Sequence, residues 1–163
     1  MYYIYIGKIV NTHGLRGEVR IISNFRYKDK VFIKGMNIYI GKDRNKEIIS
    51  SYRPHKQFDM ICIKGINNIN DVLKYKGLNI YINKDDVKLE DNCYFDEDLI
   101  GLKVIYRGME VGKIKKIEYG YKQAMFVVKS EKKDCLIPYV GDIIEKINLN
   151  EGYIAFKDIK GLI

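Results

Sequence analysis

The chain has 163 residues, 47% of them apolar, with 14 Tyr, 6 Phe and no Trp. That suffices for one core or two small ones without metal or disulfide staples. Cys62, Cys93 and Cys135 are odd in number, far apart and free of CxxC spacing, so neither a disulfide framework nor a zinc site is expected. No apolar run reaches membrane-spanning length, and Met1-Tyr-Tyr-Ile-Tyr-Ile-Gly-Lys8 lacks a basic segment followed by a long apolar one. A reduced, soluble, cytoplasmic protein is expected.

The net charge of +8 is unevenly spread. Residues 1–86 carry 16 Lys/Arg against 8 Asp/Glu, and residues 87–163 carry 13 of each. A basic half joined to a neutral half points to two different partners, with a polyanion on the basic side. The alternative is a solvated lysine-rich surface.

Abundant Ile and Tyr with little Ala favour sheet over helix. Tyr2–Val10 is predicted as a strand, followed by the two-glycine loop Thr12-His-Gly-Leu-Arg-Gly17. Strands are predicted over Glu18–Ser23, Met36–Ile40, Glu47–Tyr52 and Phe58–Lys64, with a polar turn at Gly41–Asn45. One helix is predicted over Asn68–Lys76, with Ile69, Val72 and Leu73 on one face and Gly77 at its stop. Leu78–Ile82 returns to strand. Short strands at this spacing predict a small β-barrel.

Residues 83–98 are polar and acidic. Domains are placed at 1–86 and 98–163, with a linker over 87–97. The second domain is predicted as hairpins. Leu99–Tyr106 turns at Arg107-Gly108 into Met109–Tyr119. Met125–Lys129 returns through Cys135–Ile137, which Pro138 ends. Ile143–Ile147 and Tyr153–Phe156 close a second small barrel. The fold class is all-β, two small β-barrels in tandem, with one short helix in the first.

No catalytic apparatus is visible. His13 and His55 have no spacing partner for a metal or a triad, and no GxSxG, HExxH or P-loop sequence occurs. The Gly14-Leu-Arg-Gly17 loop matches the GxxG of KH domains but joins strands rather than helices. Acidic pairs such as Asp85-Asp86 lie in loops, where burial would not tune them. No cofactor and no metal are expected.

Three groups remain as binding candidates. In the first, Gly14 and Gly17 permit a sharp turn that presents Arg16 with His13 beside it. A planar guanidinium suits phosphate. The alternative is a tight turn with a solvated Arg. In the second, Pro54 bends Tyr52-Arg-Pro-His-Lys56, clustering Arg53, His55 and Lys56. With Arg16, Arg26, Lys28 and Lys30 they form one basic face, or else a charged hairpin rim. In the third, Tyr94-Phe95 lies between Glu90-Asp91 and Asp96-Glu97-Asp98. Adjacent residues of extended chain point to opposite sides, so one ring enters a core while the other anchors a basic protein partner. The alternative is that both rings seal the domain junction.

Together these segments resemble the RimM family of ribosome maturation factors. The resemblance runs through Ile6-Gly-Lys-Ile-Val-Asn-Thr-His-Gly-Leu-Arg-Gly-Glu-Val-Arg20, Tyr52–Lys56, Ile66–Gly77, Asp98–Val104, Leu136-Ile-Pro-Tyr-Val140 and Lys160-Gly-Leu-Ile163, in order along nearly the whole chain. It implies a RimM barrel akin to translation-factor barrels, followed by a PRC-barrel. It further implies a monomeric, non-enzymatic factor that binds the 30S subunit precursor near its head and assists maturation of 16S rRNA. The resemblance also implies contact with the nineteenth small-subunit ribosomal protein, through a Tyr-Tyr pair that falls on Tyr94 and Phe95. This chain departs there. The second hydroxyl is missing, and Asp96-Glu97 stands where the family commonly has Trp-His. Rival expectations are a general single-stranded RNA-binding barrel, a flavin reductase-like enzyme and a PRC-barrel adaptor at a membrane.

Overall fold

The computed structural model describes residues 1–120 and 122–163. The chain divides into two compact units, Met1–Lys88 and Leu89–Ile163.

The first unit contains β1 (Tyr3–His13), β2 (Glu18–Ile22), the one-turn helix α1 (Lys28–Val31), β3 (Asn37–Ile40), β4 (Asn45–His55), β5 (Phe58–Ile63) and β6 (Asn79–Asn83). The strands close into a barrel in the order β1-β2-β5-β4-β3-β6. Every neighbouring pair is antiparallel, including the closing pair of β1 with β6. Closure leaves no unpaired edge for other chains to join.

The core follows from the strand alternation. Ile4, Ile6, Val19, Ile21, Ile38, Ile40, Ile49, Ile61, Ile63, Ile80 and Ile82 are all buried. In β1 the period of two slips, with Ile9 buried after Ile6. The register shifts between Tyr5 and Gly7, where an extra residue turns the following side chains over. A Cβ on Gly7 would come within 2.9 Å of Ile21 Cγ2 and of the Ile22 carbonyl oxygen, so the strands approach there only without a side chain.

The predicted helix over 68–76 is instead two 3-10 turns, Ile69–Asp71 and Leu73–Tyr75. Asn68 accepts a hydrogen bond from the Asn70 amide through its side chain, and the Ile69 amide donates to the Leu15 carbonyl. Local side-chain bonding of this kind competes with the α-helix. The buried side chains are Val72 and Tyr75, three apart, which is the 3-10 repeat, while Leu73 is 50% exposed.

In the second unit, helix α2 (Asp96–Leu99) precedes β7 (Lys103–Tyr106), β8 (Met109–Tyr119), β9 (Ala124–Lys129), β10 (Cys135–Pro138), β11 (Ile144–Asn148) and β12 (Tyr153–Phe156). The sheet order is β10-β9-β8-β7-β12-β11, with β12 and β7 parallel. One cluster takes Val104, Ile114, Phe126, Ile137, Ile154 and Phe156, with Ile144 and Ile147 packed against it. Both end strands therefore contribute to a single core. Phe126 stacks on Tyr139 at 4.4 Å and meets Phe156 edge-on at 5.7 Å. At the β7–β8 turn Arg107 and Gly108 both have positive φ, as a two-residue hairpin of this hand requires.

The acidic run Asp96-Glu97-Asp98, expected at the end of a linker, occupies α2. Carboxylates in a first turn favour the positive end of a helix, and Asp96 also accepts a hydrogen bond from the Tyr119 hydroxyl.

Candidate functional site

The barrel's strand pairing decides which polar side chains gather. Arg20 on β2 pairs with Met60 on β5, and Met60 pairs with Arg53 on β4. Directly paired residues share a face. Val19 and Ile61 point to the core, so Arg20, Met60 and Arg53 point outward. Met60 is nonetheless fully buried, which fits cover by long arginine side chains flanking it. Glu18, His55 and Phe58 share this face by the same period of two, and His13 joins it through its pairing with Glu18.

Arg53 grips Glu18 through a two-pronged ion pair. Its Nε donates to Oε2 at 2.9 Å and its Nη2 to Oε1 at 2.7 Å. The two residues lie on strands separated by β5, a span only long side chains cross. The pair pushes the Glu18 carboxyl below its ordinary value, chiefly through the hydrogen bond from Arg53, while burial opposes the shift. Arg20 donates from Nη2 to His13 Nδ1 at 2.7 Å and lies over the Phe58 ring at 5.4 Å. A guanidinium only donates, so His13 Nδ1 is the acceptor and the ring proton is assigned to Nε2. The His13 and His55 rings stand 5.8 Å apart at 44°. His55 is held below its ordinary pKa, first by burial and then by the positive charges of Arg53 and Lys56 and by His13 and Arg20. Lys56 forms the two-residue turn between β4 and β5 with φ of 56°, a left-handed conformation unfavourable for a side chain with a Cβ.

The structure thus brings together four of the sequence candidates: His13, Arg53, His55 and Lys56. Arg16 is exposed at the tip of the preceding loop, next to Leu15, which is 83% exposed. The loop's glycines have distinct reasons. Both Gly14 and Gly17 have positive φ, but a Cβ would meet nothing at Gly14 and would come within 3.0 Å of the Asn68 carbonyl oxygen at Gly17. Lys28, expected on the same basic face, instead pairs with buried Asp59 at 2.8 Å. Asp59 also accepts from the Tyr52 hydroxyl at 2.7 Å. The Tyr52 ring stacks on Phe32, and its phenol is pushed up to about 12 by burial and by the Asp59 carboxylate. These contacts tie α1 to the barrel.

Glu18, Arg20 and Phe58 were not singled out from sequence. The pairs Glu18/Arg20 and Arg53/His55, each two apart on a strand, carry the available signal. Their mutual approach depends on β5 lying between β2 and β4, an order that sequence patterns do not encode.

The adjacent rings Tyr94 and Phe95 lie at the start of the second unit. Phe95 is 5% exposed, and Tyr94 is half-buried and packed against the core of that unit. Phe95 does not present its ring at the surface.

Fold and site define a two-unit β protein with a histidine- and arginine-rich outer face on a closed barrel. The profile of the RimM N-terminal domain matches residues 4–87, and that of the RimM PRC barrel domain matches residues 96–162. Ribosome maturation factor RimM of Halalkalibacterium halodurans is 34% identical, covering 99% of this chain and 98% of its own. The protein of the same name from Streptococcus mutans is 36% identical with the same coverage. That of Exiguobacterium is 33% identical over 100% of this chain and 98% of its own. The chain belongs to the RimM family.

Proposed function

We propose that this protein is a non-enzymatic ribosome maturation factor that binds the precursor of the small ribosomal subunit and assists processing of 16S rRNA. In this proposal the basic face of the first unit meets rRNA. The second unit meets a basic ribosomal protein, the nineteenth of the small subunit, near the head of the particle. The observation that carries the proposal is the convergence of His13, Arg20, Arg53, His55 and Lys56 on one outer face, with Arg16 on the loop that β1 enters it from. Glu18 is a carboxylate on this face, and Arg53 is ion-paired with it. A surface of this composition suits a phosphate backbone.

Binding that orders flexible RNA shifts populations and requires no bond chemistry. Such a factor holds the head region in an assembly-competent arrangement and leaves when the mature surface no longer accommodates it. Tyr94 is the better candidate for the protein contact, because Phe95 is buried. The protein is expected to act as a cytoplasmic monomer.

Sedimentation with free 30S subunits and with 70S ribosomes tests this. Preferential binding to free small subunits is expected. Equal binding to both, or to neither, would contradict it.

A further inference from the structure

The outer face of the first unit contains a specific arrangement that general basicity does not explain. Arg20 and Lys56 have no carboxylate partner among the described residues. Arg20 is fixed by an imidazole and an aromatic ring, and its buried Nε–H has no hydrogen-bond partner among the described residues. An arginine built solely to stabilise the fold would be expected to meet a carboxylate, as Arg53 meets Glu18. The anchoring to His13 also fixes that ring with its Nε2–H as donor. His13 and His55, both half-buried, stand close but tilted, without stacking and without a bond between them.

We propose that His13 and His55, flanked by Arg20, Arg53 and Lys56, form a seat for one phosphodiester of an RNA backbone. The rings are near enough for one tetrahedral anion to take a hydrogen bond from each. Arg53 uses Nε and Nη2 on Glu18, leaving its Nη1 donors for the anion. Lys56 supplies a mobile charge at the rim. The seat rests on the RNA-binding role proposed above and specifies its contact point.

Seating is coupled to a proton. The groups around His55 are His13 on β1, Glu18 and Arg20 on β2, Arg53 on β4, Lys56 in the turn and the uncharged Phe58 on β5. Cations dominate this set and, with burial, disfavour the imidazolium form of His55. A phosphate reverses the local charge and favours imidazolium. Its pKa is then higher with phosphate than without, so binding strengthens as pH falls through that interval. Log affinity changes by at most about one per pH unit for the single proton taken up.

The chain has two histidines, so its imidazole NMR signals report on this site alone. The full-length protein is titrated with inorganic phosphate at constant ionic strength, with chloride as the control. Saturable shifts of both rings are expected, with His55 titrating at higher pH in phosphate. His55→Gln should weaken the His13 response several-fold, and Gln57→Ala in the same turn should leave it unchanged. Identical responses to phosphate and chloride, or an undiminished His13 response in His55→Gln, would overturn the seat. Small-subunit sedimentation separates the two proposals. Particle binding without a phosphate response removes the seat and keeps the RNA-binding role. A phosphate response without particle binding supports the seat and removes the ribosomal role.

Discussion

Glu18→Gln is the most revealing single substitution, because it should strengthen binding while weakening the fold. In the native protein Arg53 directs two donors to Glu18 at 2.9 and 2.7 Å. The Glu18 side chain is 17% exposed and that of Arg53 is 48% exposed. With its arginine exposed the pair contributes little to stability, so the variant should fold with a slightly lower Tm. The substitution removes a negative charge from the face and releases the guanidinium fork for phosphate. One additional phosphate contact steepens the slope of log affinity against log salt by about 0.7–0.9. Between 50 and 200 mM salt that amounts to a roughly threefold greater loss of affinity, with tighter binding at the low end. Binding to small subunits or to a 16S rRNA fragment, measured across that salt range, reads the effect directly. An unchanged or shallower slope in a folded Glu18→Gln protein would show that Arg53 serves only its ion pair and that the face does not bind RNA as described.

Further outcomes concern stability and the second unit. Gly17→Ala should destabilise by about 1–3 kcal/mol, since it combines left-handed φ with crowding against Asn68, whereas Gly14→Ala should cost roughly 1 kcal/mol; denaturant melts distinguish them. Tyr52→Phe withdraws a donor from buried Asp59 and should cost about 1–3 kcal/mol while leaving RNA binding unchanged. Phe95→Ala should lower stability by about 3–5 kcal/mol. Tyr94→Ala should instead lower affinity for the ribosomal protein, read by pull-down beside a circular-dichroism melt; the reverse pattern would reassign the two rings. The Glu18 carboxyl has a folded pKa below its unfolded value near 4.5. Its stabilisation is therefore present above that pH and lost as pH falls through the folded value, and Glu18→Gln should flatten the acid limb of stability against pH.

The strands were legible wherever one face alternates, as in Glu18–Ile22 with Val19 and Ile21 inward. The division of charge along the chain and the polar stretch near residue 90 likewise indicated two units. Helical segments were less legible. Residues 68–76 satisfy a helical spacing on paper, but the Asn68 side chain and a bond to Leu15 hold them as 3-10 turns. α1 is a single turn, tied by Lys28 to Asp59 and by the stacking of Phe32 on Tyr52, contacts between residues twenty or more positions apart. The candidate site shows the same boundary. His13, Arg53 and His55 stand out as residue types in a basic half. The role of Arg20 depends on its approach to His13 and Phe58 through strand register, and that of Glu18 on a bridge across β5.

The outer face bearing His13, Arg53, His55 and Lys56, with the Arg16 loop, is the proposed contact of the protein with rRNA. The direct measurement compares the native protein with an Arg16→Ala, Arg53→Ala, His55→Gln, Lys56→Ala variant for binding to immature small subunits across a salt series, with folding checked by circular dichroism. All four side chains are at least partly exposed, so the variant should remain folded. Loss of three permanent charges should make the salt slope shallower by about 2–3 and lower affinity at least tenfold at low salt. A folded variant that binds with native affinity and native salt slope would place the rRNA contact elsewhere on the protein.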